Sequence, residues 1–178
     1  MEAFCYAKYM SQKLIIIRGN SGSGKSTVAR LLRDELGENA ILVPQDVIRR
    51  DILHVKDREN NPAIDLISRT VVYGKEIGKD VVLEGILSKK LYGNMLERLT
   101  EHFDNVYAFY MDVSFEETLK RHNSKPNRHE YGAEKMREWW IEKDHLLLPS
   151  ETIIPEEYSP NDAVNLILEI IESSKLVH

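Results

Sequence analysis

Short aliphatic runs and longer amphipathic runs alternate along this chain. The aliphatic runs are Leu14 to Arg18, Ala40 to Val43, Val81 to Glu84, Val106 to Met111 and Thr152 to Ile154. Each is too short for a helix and runs into a loop at its C-terminal end, as strands buried on both faces do. Between them the apolar positions follow helical spacing. Val28, Leu31, Leu32 and Leu36 mark one helix, Leu91, Met95, Leu99 and Phe103 another, and Ala163, Val164, Leu166, Ile167, Ile170 and Ile171 give the last helix a wide apolar face. Gly37 and Gly78 stand where C-terminal caps belong, Ser114 with Glu117 predicts a capping box, and Ser159-Pro160 opens the last helix. Strands alternating with helices predict an α/β chain with a five-stranded parallel sheet, forming one domain over residues 1–178. Ligands of such sheets bind beyond the C-terminal strand ends.

At the first of those ends stands "GNSGSGKST", Gly19 to Thr27. Gly19 to Ser26 matches G-x-x-x-x-G-K-[ST], a P-loop whose glycines let successive backbone N–H groups face an anion. The preceding aliphatic run and the following amphipathic run are the strand and helix that this motif requires. Gly19, Asn20, Ser21, Gly22, Ser23, Gly24, Lys25, Ser26 and Thr27 are therefore the candidate nucleotide-binding residues, with Lys25 beside the phosphates.

A phosphate cradle specifies a nucleotide and leaves the reaction open. Asp46 follows the second strand in "LVPQDVIRRDIL" and lies at the sheet edge shared with the P-loop. It either takes a proton from an attacking hydroxyl, or holds metal-bound water, or simply caps the next helix. Arg49, one turn on, fixes substrate in the first reading and is a solvated neighbour in the last. Glu84 ends the third strand in "DVVLEGIL", where it orients a magnesium shell, binds substrate hydroxyls or caps the following turn. Gly85 beside it permits close backbone approach. Asn60, Asn61 and Arg69 are further candidate acceptor contacts, set against a loop leading into an N-capped helix.

The least regular stretch is "RHNSKPNRHEYG", Arg121 to Gly132, which interrupts the helix after the fourth strand and predicts a lid over residues 121–132. Arg121 and Arg128 are its candidate catalytic residues, because arginines brought in by a closing lid stabilise charge on a transferring phosphoryl group. Trp139 and Trp140 follow, one to line the acceptor site or cover the lid base. Asp112 is already explained by the helix start that follows it.

Composition narrows the partners. A formal net charge of -5 with dispersed basic residues argues against nucleic acid as a general partner. The single cysteine, Cys5, permits no internal disulfide and fits a reducing cytoplasm. No run approaches the roughly 18 apolar residues of a membrane span, and residues 1–13 predict an N-terminal extension.

With the P-loop, Asp46-x-x-Arg49, Glu84 and the Arg-rich lid in place, the chain resembles the small P-loop kinases related to nucleoside monophosphate kinases. It looks closest to the subgroup of zeta-toxin-like kinases, chloramphenicol phosphotransferase, gluconate kinase and the kinase domain of polynucleotide kinase, over about Leu14 to Ser173. "GNSGSGKST" with "PQD" is also similar to the uridine kinase pattern, and "GKST" departs from the "GKGT" usual in nucleoside monophosphate kinases. The resemblance implies a three-layer α/β/α sandwich with a helical lid and ATP and magnesium as cofactors. It implies Asp46 as base, lid arginines Arg121 and Arg128 on the phosphates, and Ser26 on the metal. The expectation is a cytoplasmic phosphotransferase acting on a hydroxyl of a small molecule, positioned by Arg49 and Glu84. A nucleotide-hydrolysing switch and a polynucleotide 5'-hydroxyl kinase are the alternatives.

Overall fold

The computed structural model describes residues 11–123, 132–146 and 151–174. Arg128, most of the expected lid and the region around Cys5 lie outside them. The strands are β1 (Lys13–Gly19), β2 (Ala40–Pro44), β3 (Asp80–Gly85), β4 (Asn105–Asp112) and β5 (Glu151–Pro155). All pair in parallel, in the order β2-β3-β1-β4-β5. The helices are α1 (Lys25–Leu36), α2 (Pro62–Glu76), α3 (Lys89–Thr100), α4 (Phe115–Asn123), α5 (Ala133–Glu138) and α6 (Pro160–Ser173). Each expected strand extends by a residue or less at either end, because the aliphatic runs mark burial and the ladder continues into their polar flanks.

Alternation along β1 divides the core. Leu14 and Ile16 pack with Ile67, Val71, Leu96 and Leu99 on the α2 and α3 side, while Ile15 and Ile17 pack with Val28, Leu32, Ile167 and Ile171 on the α1 and α6 side. The result is the expected three-layer α/β/α sandwich. Gly37 and Gly78 cap their helices with positive φ of 62° and 74°, and Ser159 forms a reciprocal capping box with Asp162. The box expected at Ser114 is only half formed. Ser114 Oγ accepts from the Glu117 amide, but it is Glu156 of the β5–α6 loop that accepts from the Ser114 amide and hydroxyl. Glu117 is drawn away instead to Arg121 and Lys120.

Between β2 and α2 the chain makes a π-helical turn, Val47–Ile52, closed by the Leu53 amide on the Ile48 carbonyl at 3.0 Å. Such turns add a residue per hydrogen-bonded loop and re-aim the side chains they carry. No helix among the described residues is long and apolar enough to cross a membrane.

Candidate active site

The order of the strands sets out the site. β3 lies between β2 and β1, and its Glu84 is in register with Pro44 on one side and Ile17 on the other. Asp46, Glu84 and the P-loop therefore follow one another along a single sheet edge, with about 4.8 Å between neighbouring strands.

The P-loop is built from backbone. Gly22 has φ of +84°, and a Cβ there would stand 2.8 Å from the Thr118 carbonyl oxygen, so only glycine fits. Ser23 is fully buried, and its Oγ has no hydrogen-bond partner among the described residues. A buried hydroxyl of this kind inside a ring of glycines suits an incoming phosphate oxygen. Lys25 Nζ donates to the Asn20 carbonyl at 3.3 Å, which holds the ammonium over the loop.

Glu84 is buried and accepts from Ser26 Oγ at 3.1 Å. Burial pushes its carboxyl above the ordinary carboxylate range, and the Lys25 charge and the Ser26 hydrogen bond oppose that shift only in part. This contact ties Glu84 to the phosphate end of the site, and the simple capping role is not what its side chain does.

Asp46 makes no side-chain cap to the turn that follows. Its carboxylate accepts from Arg49 Nη2 at 2.9 Å, lies 3.4 Å from Arg50 Nε, and is 54% exposed. Arg49 is largely buried, and its Nη1 donates to the Val55 carbonyl. The π-helical turn thus presents an open carboxylate held by two neighbouring arginines.

Behind it Gln45 is buried and bridges three elements. Its Oε1 accepts from the Leu87 amide at 3.1 Å, and its Nε2 donates to Asp57, which also accepts from Tyr92 at 2.6 Å. Burial, reinforced by Asp57, pushes the Tyr92 hydroxyl up to about 12, so it stays a donor. Gln45 is also what approaches Gly85, where a Cβ would stand 2.3 Å from its Oε1.

Other expected contacts have different employment. Asn61 caps α2, accepting from the Ala63 amide at 3.0 Å, and donates to the Arg58 carbonyl. Arg69 is solvated and pairs with Asp65 one turn earlier. Asn60 and Asn61 both line a depression between α2 and α3. Trp140 packs edge-on against Phe115 with ring centres 5.3 Å apart, covering the base of α5, while Trp139 faces solvent.

Arg121 lies on α4 and is anchored. Its Nε donates to Glu117, Nη1 to the Ser23 carbonyl at 2.9 Å and Nη2 to the Glu156 carbonyl at 2.8 Å. It forms one wall of a cavity of about 440 Å³ with Gly22, Gly24, Thr27 and Tyr158. That cavity adjoins the P-loop on the side away from Asp46. Its β5–α6 wall is absent from the residues picked out by motif, since nothing local in "PEEYSP" marks it.

The family model described as Zeta toxin matches residues 3–90, just under half of the chain. A protein provisionally named adenylate kinase from Pyrococcus furiosus is 32% identical over 130 residues, covering 62% of this chain and 71% of the relative. Among solved structures, the APS kinase of Mycobacterium tuberculosis in complex with AMPPNP and APS superposes with a TM-score of 0.70 at 16% identity, covering 91% of this chain and 98% of that one. A gluconokinase of Sinorhizobium meliloti superposes at 0.59 and 15%, covering 92% and 96%.

Proposed function

The chain belongs to the P-loop kinases, and from that premise we propose that it moves the γ-phosphoryl group of ATP to a hydroxyl of a small-molecule acceptor. The observation that carries this reading is the row of Asp46, Glu84 and P-loop on adjacent strand ends. A phosphate acceptor is already an anion, needs no base and is repelled by a carboxylate. A hydroxyl acceptor needs its proton removed, and Asp46 is an open carboxylate at the acceptor end of the row. In the transfer the acceptor O–H proton passes to Asp46, the acceptor oxygen bonds to the γ-phosphorus, and the bond from that phosphorus to the ADP oxygen breaks. Lys25 and the P-loop amides hold the phosphates, and the α1 N-terminus adds its dipole. The cavity beside Arg121 and Tyr158 is suited to the base, since it adjoins the P-loop on the other side.

Ser26 and Glu84 suit magnesium. Both are hard oxygen donors, and they are already in contact at 3.1 Å. Among the described residues there is no cluster of three or more His, Cys, Asp or Glu side chains forming a metal cage. That fits an ion whose remaining ligands are water and phosphate oxygens. When bound it supplies charge neutralisation across the phosphates.

The test is ADP release with nucleosides, sugars, phenicol and aminoglycoside antibiotics, AMP and a 5'-hydroxyl oligonucleotide as acceptors. The relatives' name makes AMP a necessary member of the set. We expect one small alcohol to raise the rate and to gain a phosphate by mass spectrometry. ADP release indifferent to every acceptor would favour a hydrolytic switch, and a product formed only from AMP would overturn the alcohol reading.

A further inference from the structure

Two side chains on either side of Gly19 reach away from the nucleotide. Arg18 is fully buried at the C-terminal end of β1. Its Nη2 donates to Asp144 Oδ2 at 2.7 Å, and its Nη1 to Glu151 Oε1 and to the Asp144 carbonyl, both at 2.9 Å. Its Nε donates to the Leu87 carbonyl at 3.0 Å. Asn20, inside the P-loop and 5% exposed, forms a matched pair of bonds with Ile141. Its Nδ2 donates to the Ile141 carbonyl at 2.7 Å, and its Oδ1 accepts from the Ile141 amide at 3.1 Å.

Both grip the connection that follows α5. Asn20 is expected among the nucleotide contacts; any such contact falls to its backbone, since both polar atoms of its side chain bond to Ile141. The start of the arm comprising residues 132–146 also packs on α4, through Trp140 on Phe115 and the Arg137 guanidinium 4.6 Å from the Phe115 ring centre, and its far end is held by Asp144 accepting from the Lys89 amide, His145 edge-on to Tyr110 and Leu146 in the core. Its α5 has only 6 residues, too short to hold itself in place without tertiary contacts.

We infer that Asn20 is a positioning residue that couples the phosphate loop to this arm, with Arg18 as its buried anchor. The inference rests on the kinase reading. Phosphates binding to the P-loop amides fix the Asn20 backbone. A short side chain with two hydrogen bonds then transmits that fixation to Ile141 and so to α5. Coupling is reciprocal, so an ordered arm tightens the phosphate loop in turn. Arg18 serves the static half of the task, because its carboxylate partners fix the far end of the arm at Asp144 whether or not nucleotide is bound.

The experiment is amide hydrogen exchange of the full chain with and without AMPPNP, on the parent, Asn20→Ala and Asn20→Asp. Asp has the size of Asn, so it keeps the loop's packing, but it sets a carboxylate oxygen against the Ile141 carbonyl. In the parent, AMPPNP should slow exchange across residues 132–146. In both variants that slowing should fall by about tenfold, the worth of two ordinary hydrogen bonds with partial compensation, while slowing within residues 19–27 persists. In turnover with an accepted acceptor, Asn20→Ala should lower kcat by a similar factor and leave the KM for ATP within about threefold, whereas Asn20→Asp, whose added charge faces the phosphates, is read by exchange at saturating AMPPNP alone. A structural residue would lower the melting temperature without changing the nucleotide-dependent difference. Nucleotide-dependent slowing in the arm that is equal in the parent and either variant overturns the coupling. So does a parent that binds AMPPNP with no slowing in the arm, and that result leaves the kinase reading intact. A parent that binds no ATP analogue overturns both.

Discussion

The two ends of the site are made of different material. At the phosphate end the loop is backbone, its key carboxylate Glu84 is buried against Ser26, and its side chains are tied to strands and to the arm after α5. At the acceptor end Asp46 is half exposed, sits on a short π-helical turn, and is held by arginines three and four residues away. At the first end distant elements meet the loop directly. At the other the carboxylate itself is held by its own turn, and distant elements enter only behind it, through the Gln45, Asp57, Leu87 and Tyr92 network. On the proposed reading, recognition of the constant part of the reaction is built into the sheet and recognition of the variable part into the turn after β2.

The strongest way to break this contrast is Lys25→Ala. It should lower turnover by on the order of a hundred- to a thousandfold, as losing one preorganised charge donor does, and weaken ATP binding, with the circular dichroism spectrum unchanged. ATP titration alongside steady-state rates would measure both.

Glu84→Gln sharpens it. If Glu84 supports the magnesium shell, the substitution should cost roughly ten- to a hundredfold in turnover, and raising magnesium should recover part of that loss. The same variant should melt higher than the parent at neutral pH without ligand. The folded-state pKa of Glu84 is raised, so its favourable contribution is present below the ordinary carboxylate value and is lost as pH rises through the folded value. Glutamine carries no such penalty. The difference in melting temperature should shrink as the pH is lowered below the usual carboxylate range.

Arg121→Ala should cost about tenfold, expressed mainly in the KM for ATP, because the guanidinium is anchored on the Ser23 and Glu156 carbonyls at the wall of the side cavity. A loss confined to kcat would place it instead over the transferring phosphate. At the other extreme, Arg69→Ala should leave turnover unchanged within about twofold and stability within about 0.5 kcal/mol, since its pairing with Asp65 is exposed.

The phosphate end was largely legible in the sequence. A P-loop is recognised through glycine spacing and flanking periodicity, and both are local. The same locality placed the strands, and with them Asp46 and Glu84 on one edge. What stayed hidden depends on distance along the chain. Arg18 reads as a polar strand end, yet it is fully buried because Asp144 and Glu151, 126 and 133 residues later, meet it. Asn20 reads as a ligand contact, and its side-chain bonds to Ile141, 121 residues away, are invisible in the motif. Asn61 and Arg69 are candidate acceptor contacts on position alone; in the structure Asn61 caps α2 and Arg69 pairs with Asp65 at the surface. The π-helical turn carries no distinguishing periodicity in six residues.

The central claim is that binding resides at one end of the row and chemistry at the other, and Asp46→Asn tests it most directly. ATP affinity by calorimetry and the single-turnover rate of transfer to an accepted alcohol are measured on the same preparation. The account predicts affinity within a few-fold of the parent and a rate lower by on the order of a hundredfold or more. Transfer at the parental rate, with the fold and ATP affinity intact, would contradict it.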